Sequence, residues 1–318
     1  MNKIKFFTVV FLSLIALTMF LLSCNKINDE EIIDNPKMEL RLSSGVEVQF
    51  RAAFPATDTQ IPNGENVAVY VDETGGAVQL YEKNILTANG IGGLSGGIPM
   101  YFPSSGNNVD IYALHTNATY STAYPTTALT HTVSADQRTL AGYVPSDLLY
   151  SKTTNIAKTS SPVLLTFYHL LSKLQVAVEA GDGLTAADIT GISIGGMKLQ
   201  ANFSLDKATA SNAIAVIASG AASPLTVGAD ISTDFTSANI RYNDAIIVPQ
   251  TLAINTAFII IHLSSGPDLI YRLPVETTFQ SGKKYAYHIT AHLWGITLIT
   301  IIEDWTPVGP VIGEAIAE

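Results

Sequence analysis

The chain has 318 residues, 47% of them hydrophobic and 14% charged, with a formal charge of −10. An acidic chain with so few charges lacks the basic surface that neutralises phosphates, which excludes a general nucleic-acid binder. Its single cysteine excludes an intramolecular disulfide and a cysteine-based zinc site.

The chain opens with an export signal. Lys3 and Lys5 precede an apolar run from Phe6 to Leu22, broken only by Thr8, Ser13 and Thr18. A basic start followed by a short apolar stretch describes a signal peptide over residues 1–23, and a run of 17 residues lies at the short edge of what spans a bilayer. The string Leu21-Leu22-Ser23-Cys24 resembles a bacterial lipobox, which implies cleavage before Cys24 and acylation of that residue. Several acyl chains, at about 0.8 kcal/mol per buried CH2, anchor a protein stably where one does not. Residues 24–37 are polar and acidic and read as a solvated tether. An acidic run after a lipid-bearing cysteine also resembles the surface-export signal of Bacteroidales lipoproteins, which implies the outer face of the cell outer membrane.

Strands account for most of the remaining sequence. Met38-Glu39-Leu40 leads through Arg41 into a short strand, with a loop expected at Ser43 to Gly45, and Val46 to Phe50 alternates apolar and polar residues. Val67 to Val71, Val109 to Leu114, Val163 to Phe167, Leu174 to Val178, Ile192 to Ile194, Ile246 to Val248, Phe258 to Leu263, Ile270 to Val275, Tyr285 to Leu293 and Ile296 to Ile302 are rich in β-branched and aromatic residues. Runs of this length bounded by Gly, Pro, Asn, Asp and Ser predict strands. Many short strands without intervening helices predict an all-β chain built of sandwiches. Pro145 to Tyr150 could hold one helical turn, and Ala208 to Ala229 reads as an irregular excursion or hairpin. The Thr-, Ser- and Lys-rich stretch from Lys152 to Pro162 suggests a boundary, giving one domain at 38–158 and another at 159–318.

Catalytic constellations are missing. Gly90 to Gly97 has Ser95 where a dinucleotide fingerprint needs its third glycine, and Ser281-Gly282-Lys283-Lys284 lacks the upstream glycine and the hydroxyl of a P-loop. His288 and His292 on a strand would lie about 13 Å apart, too far for one ion. No enzymatic activity, cofactor or metal is expected.

Several strings, taken together and in order, resemble the fimbrillin family of Bacteroidales, the type V pilins. They are Tyr101-Phe102-Pro103 with Gly106 and Val109 to Ala113; Asp147-Leu148-Leu149-Tyr150; Val163 through Phe167-Tyr168-His169-Leu170-Leu171-Ser172-Lys173-Leu174; Ile247 to Thr251; Phe279 to Tyr285; and Trp305. The resemblance implies two tandem transthyretin-like β-sandwiches and a structural subunit of a cell-surface fimbria. It also implies partners: other fimbrial subunits, the outer membrane through lipid on Cys24, and a trypsin-like protease that removes the first strand so that a strand from the next subunit fills the groove. Such pairing is β-augmentation.

Arg41 and Arg51 are the candidate cleavage positions, Arg51 matching the family better although the Thr-rich loop after it carries no arginine. The tail at 307–318 is the candidate donor strand, with Val308, Ile312 and Ile316 as anchors at even spacing; an alternative is that this tail packs on its own domain. A second reading is a surface lipoprotein that binds glycan or a host ligand, as tip adhesin or anchor, with Tyr120, Tyr124, Tyr143 and Tyr150 as an aromatic platform.

Overall fold

The computed structural model describes residues 37–46, 60–75, 78–115, 121–125, 128–210, 213–304 and 311–315. The first region is a seven-stranded sheet in the order β1 (Leu42–Val46), β8 (Val163–His169), β7 (Leu149–Ile156), β5 (Val109–His115), β2 (Asn66–Glu73), β3 (Gln79–Ala88) and β4 (Leu94–Ser95). All neighbours run antiparallel except β1, which lies parallel to β8, with Leu42 opposite Val163 and Val46 opposite Phe167. The two ends of this sheet approach each other, because Ser43 of β1 forms a bridge with Gly93, next to β4.

The second region holds two larger sheets. One contains β10 (Ile189–Ile194) between β13 (Leu225–Val227) and β17 (Ala257–Leu263), with β18 (Leu269–Arg272) at the edge. The other has β9 (Ser172–Ala180) and β20 (Lys283–His292) side by side and parallel; β14 (Ile231–Ser232) and β15 (Tyr242–Ile247) flank β9. On the other flank, β21 (Gly295–Asp304) and then β22 (Val311–Ala315) follow β20. The faces meet through aromatic rings: Phe258 of β17 stands edge-on to Tyr287 of β20 at 5.4 Å and packs 5.2 Å from Phe279. A smaller sheet joins β6 (Ala128–Thr132) to β11 (Lys198–Ser204) and β12 (Val216–Ala222), and β16 (Thr251–Leu252) pairs with β19 (Thr277–Thr278). Helical structure among the described residues is slight: α1 (Leu140–Tyr143), continued by a 3-10 turn at Val144–Ser146, and a turn at Ala186–Asp188 capped by Thr185 and Asp188.

The expected division at 158/159 falls inside the first sheet. β7 pairs with β8, Leu149 opposite His169 and Tyr150 opposite Tyr168, so the chain changes region at Leu170-Leu171. β6 crosses the other way and pairs with β11. The stretch after Lys152 reads as a linker because the outer half of β7 is polar and half-exposed. Ser43-Ser44-Gly45, expected as a loop, belongs to β1 because each residue has a partner on β8. The excursion at 208–229 contains β12 and β13, which pair with β11 and β10 rather than with each other.

Candidate functional site

The segment Met38 to Ser44 alternates apolar and polar residues until its last step, a period that puts every second side chain on one face of a strand. Leu40, Leu42 and Ser44 are 3%, 7% and 7% exposed, Met38 is half-buried, and Glu39 and Arg41 face solvent. The inward side chains enter a core that includes Ile61, Met100, Phe102, Val163, Leu165 and Phe167. Burying each aliphatic side chain stabilises the fold by about 1.5–3 kcal/mol.

Backbone grips this segment on both sides. Along one flank it forms the parallel ladder with β8, and the Arg41 carbonyl accepts from Val163 N–H at 2.8 Å. Along the other runs a strap, residues 89–102. Leu40 N–H donates to Met100 O at 2.8 Å, Phe102 N–H to Met38 O at 3.0 Å, and Ser44 N–H to Gly92 O at 2.7 Å. The strap is itself pinned by side chains. Buried Asn84 donates to Ile98 O and accepts from Ile98 N–H, both at 2.9 Å. Asn89 Oδ1 accepts from Gly93 N–H at 2.8 Å, and the Tyr81 hydroxyl accepts from Tyr101 N–H at 2.8 Å. Gly92 is required where the strap meets β1: its φ is +90°, and a Cβ there would lie 2.9 Å from Ser44 O. The glycine-rich run at 90–97 is therefore the part of the strap that closes on the first strand, a role its sequence alone did not disclose.

Arg41 lies at the centre of this segment, its guanidinium donating to Ser160 O. Cys24, Arg51, Val308 and Ile316 lie outside the described residues. Ile312 is in β22, which folds back along β21 with Ile312 opposite Ile301 and Ala315 opposite Leu298.

The tyrosine platform is not formed. Tyr124, Tyr143 and Tyr150 are buried, and Tyr120 lies outside the described residues. The Tyr124 and Tyr150 hydroxyls are 2.7 Å apart, Tyr124 packs against Tyr70 and Tyr112, and burial pushes the Tyr150 phenol up to about 12. Lys207 reaches over from the loop after β11, contacting the Asp72 carboxylate and lying 5.0 Å from the Tyr112 and Tyr124 ring centroids.

His288 and His292 are half-buried on β20. His288 Nε2 is 2.9 Å from the Tyr242 hydroxyl and its ring stacks on Phe235; His292 Nδ1 accepts from Asp182 N–H, and its ring stacks on exposed Trp294. Among the described residues no group of three His, Cys, Asp or Glu side chains is placed to hold a metal, and no helix is long and apolar enough to cross a membrane.

The string around the crossover from β8 to β9 carries buried charge. Lys173 Nζ lies 3.2 Å from Asp244 Oδ2 with both side chains fully buried, and Gln175 donates to Asp244 Oδ1 at 3.0 Å. His169 Nδ1 is 2.8 Å from Asp147 Oδ2.

These features define an all-β protein whose first sheet is completed by a short amino-terminal strand held in a slot. The chain belongs to the fimbrillin-like family, whose profile matches residues 54–305. The match leaves out β1, both candidate arginines and the tail. Among solved structures the fold is similar to that of a protein named for cell adhesion from Bacteroides uniformis, with a TM-score of 0.62 and 21% identity, covering 84% of this chain and 98% of that one. A similarly named protein from Bacteroides ovatus gives 0.62 at 16% identity, covering 86% and 99%. The tip fimbrial protein Mfa3 from Porphyromonas gingivalis, with a C-terminal truncation, gives 0.52 at 10% identity, covering 84% and 100%. No curated protein matches the sequence.

Proposed function

We propose that this chain is a structural subunit of a cell-surface fimbria, exported as a lipoprotein anchored through Cys24 and joined to its neighbours by replacement of the first strand. The observation that carries the reading is the construction of the Met38–Val46 segment. It supplies apolar side chains to the first core, yet it is held as a separate strand, parallel to β8 and bonded to the strap chiefly through backbone, with the Ser44 hydroxyl adding one long contact to Gly92 O. A strand with these properties can be exchanged for another that repeats the same backbone bonds and a suitable set of side chains.

The geometry favours Arg51 over Arg41 as the cleavage position. The Arg41 carbonyl is bonded within the ladder, and its neighbours Leu40 and Leu42 are buried, so a protease would have to extract the strand before cutting. Cleavage after Arg51 would free the whole strand at once. The tail supports the donor role in a complementary way: among the described residues β22 forms a terminal strand of its sheet, paired with β21.

The test is to sequence the amino terminus of the protein recovered in surface fibres. A chain beginning at Ala52 is the expected result. A blocked terminus at Cys24 in assembled fibres would refute strand replacement at this slot. Separately, Cys24→Ala should abolish incorporation of labelled fatty acid; label persisting in that variant would overturn the lipid assignment.

A further inference from the structure

The slot occupied by the first strand has a definite series of sizes. Met38, Leu40 and Leu42 are three long aliphatic side chains at alternate positions, and buried Ser44 follows where Gly92 comes close, with Ser44 Oγ 3.4 Å from Gly92 O. Any replacement strand must repeat that series, large, large, large and small, or leave cavities in the core. It must also offer an N–H at the Leu40 position, where Met100 O accepts.

The chain's own tail does not supply this. In an extended chain one face of the tail carries Val308, Pro310, Ile312, Glu314 and Ile316. The other carries Gly309, Val311, Gly313, Ala315 and Ala317. If Val308 takes the Met38 position, Pro310 takes that of Leu40 and has no N–H to give. If Pro310 takes the Met38 position, Glu314 falls where Leu42 is buried and would need its carboxylate desolvated. If Val311 takes it, Gly313 and Ala315 stand in for two leucines. Reversing the strand direction changes none of this, because neither face holds three large aliphatic residues at consecutive alternate positions.

We infer that the slot filled by Met38–Val46 is built for a strand from a different subunit, and that the tail of this chain is not its occupant. The partner strand carries three large aliphatic residues at alternate positions followed by a small one, has no proline within that run, and pairs with both β8 and the strap. A fibre containing this chain is then a mixed one, with the chain's neighbour on this side being a different protein. The inference rests on the strand-replacement reading above and names the partner that reading leaves open.

The test uses the full chain with a site-specific protease sequence placed within residues 52–59. After cutting, three fluorescent peptides are offered separately: residues 37–50, residues 305–318, and residues 305–318 carrying Gly313→Leu and Ala315→Leu. The last peptide places Val311, the two new leucines and Ala317 in the series of Met38, Leu40, Leu42 and Ser44. Incorporation is read by native mass spectrometry and fluorescence anisotropy.

The first peptide should enter, the unaltered tail should bind roughly a hundredfold more weakly, and the altered tail should recover most of that difference, because truncating two leucines in a core that relaxes only partly has an effect of at least this size. An unaltered tail binding within tenfold of the first peptide would overturn the inference and leave strand replacement intact. An altered tail that binds no better than the unaltered one would overturn it too, since size would not then be what selects. If even the first peptide fails to enter the cut protein, strand replacement at this slot is itself wrong.

Discussion

The two regions complete their cores in different ways. In the second, the facing sheets and the aromatic contacts between them come from β9 through β21, and the same core takes in β6, the segment around Tyr143 and Ala68, Tyr70, Tyr112, Leu114 and Tyr150 of the first sheet. In the first, the core depends on a strand that lies at one end of the sequence and is joined to the sheet by backbone pairing and four inward side chains. The lesson is that one core draws on many strands from both regions, while the other includes a strand set apart in sequence from the rest of its sheet. On the strand-replacement reading, the first core is where assembly would act, because changing a single strand there alters that core.

Removing side chains from β1 is the strongest way to sharpen that contrast. Leu40→Ala with Leu42→Ala should destabilise the first region by about 4 kcal/mol or more, since each buried Leu→Ala typically accounts for roughly 2–5 kcal/mol. Hydrogen exchange should quicken in β8 and in the strap while β9 and β20 keep their protection. Uniform loss of protection across β8, β9 and β20 would mean that the two regions unfold as one cooperative unit.

The second region has a vulnerable point of its own in its buried charges. Asp244→Ala leaves Lys173 without its carboxylate and should destabilise by about 3–5 kcal/mol, whereas the pair replacement Lys173→Met with Asp244→Leu should be nearly neutral. Denaturant titration followed by fluorescence of Trp294 reads this region. An Asp244→Ala protein as stable as the parent would show that the pair is hydrated in solution.

Asn84→Ala tests the strap. It leaves the N–H and carbonyl of Ile98 without their side-chain partner and should weaken the first region by about 1–3 kcal/mol. The effect should appear as faster exchange of amides in the strap. Exchange unchanged there would mean that the backbone bonds to β1 hold the strap without help.

Much of this arrangement was legible in the residues. The β-branched and aromatic runs of β5, β8, β9 and β20 announce strands directly, and each is found where its pattern lies. The string Phe167 to Leu174 was recognisable as a family feature, but its physical content was not: His169 and Lys173 read as strand polar residues until Asp147 and Asp244, distant in sequence, are brought beside them. β3, β7 and β12 were missed because their half-exposed faces carry Lys, Glu, Thr, Ser and Gly, so neither alternation nor composition marks them. The slot was partly visible, since Met38 to Leu42 alternates, but its second wall is a glycine-rich strap whose closure on Ser44 depends on a tertiary contact. Local periodicity records which side chains face inward; it does not record which distant backbone comes to meet them.

The smallest expected effect is on pH dependence, and it bears on the seam where β6 joins the two regions. His131 of β6 is buried, with its Nε2 2.8 Å from Ser146 O, and burial holds its imidazole below the ordinary range despite that bond. The unfolded chain takes up a proton near about 6.5, while the folded chain resists it to lower pH. The unfolded state therefore binds more protons in that window, so His131 contributes stability that is present above about pH 6.5 and is lost on acidification through it. Measuring unfolding free energy from pH 7.5 down to 5 in the parent and in His131→Asn should show a steeper acid fall in the parent. His288 on β20 is also held low by burial and remains in both proteins, so the difference between the two curves isolates the seam. Parallel curves would mean that His131 takes up its proton without disturbing the fold, and that the junction at β6 and β11 is looser than its packing against Phe203 implies.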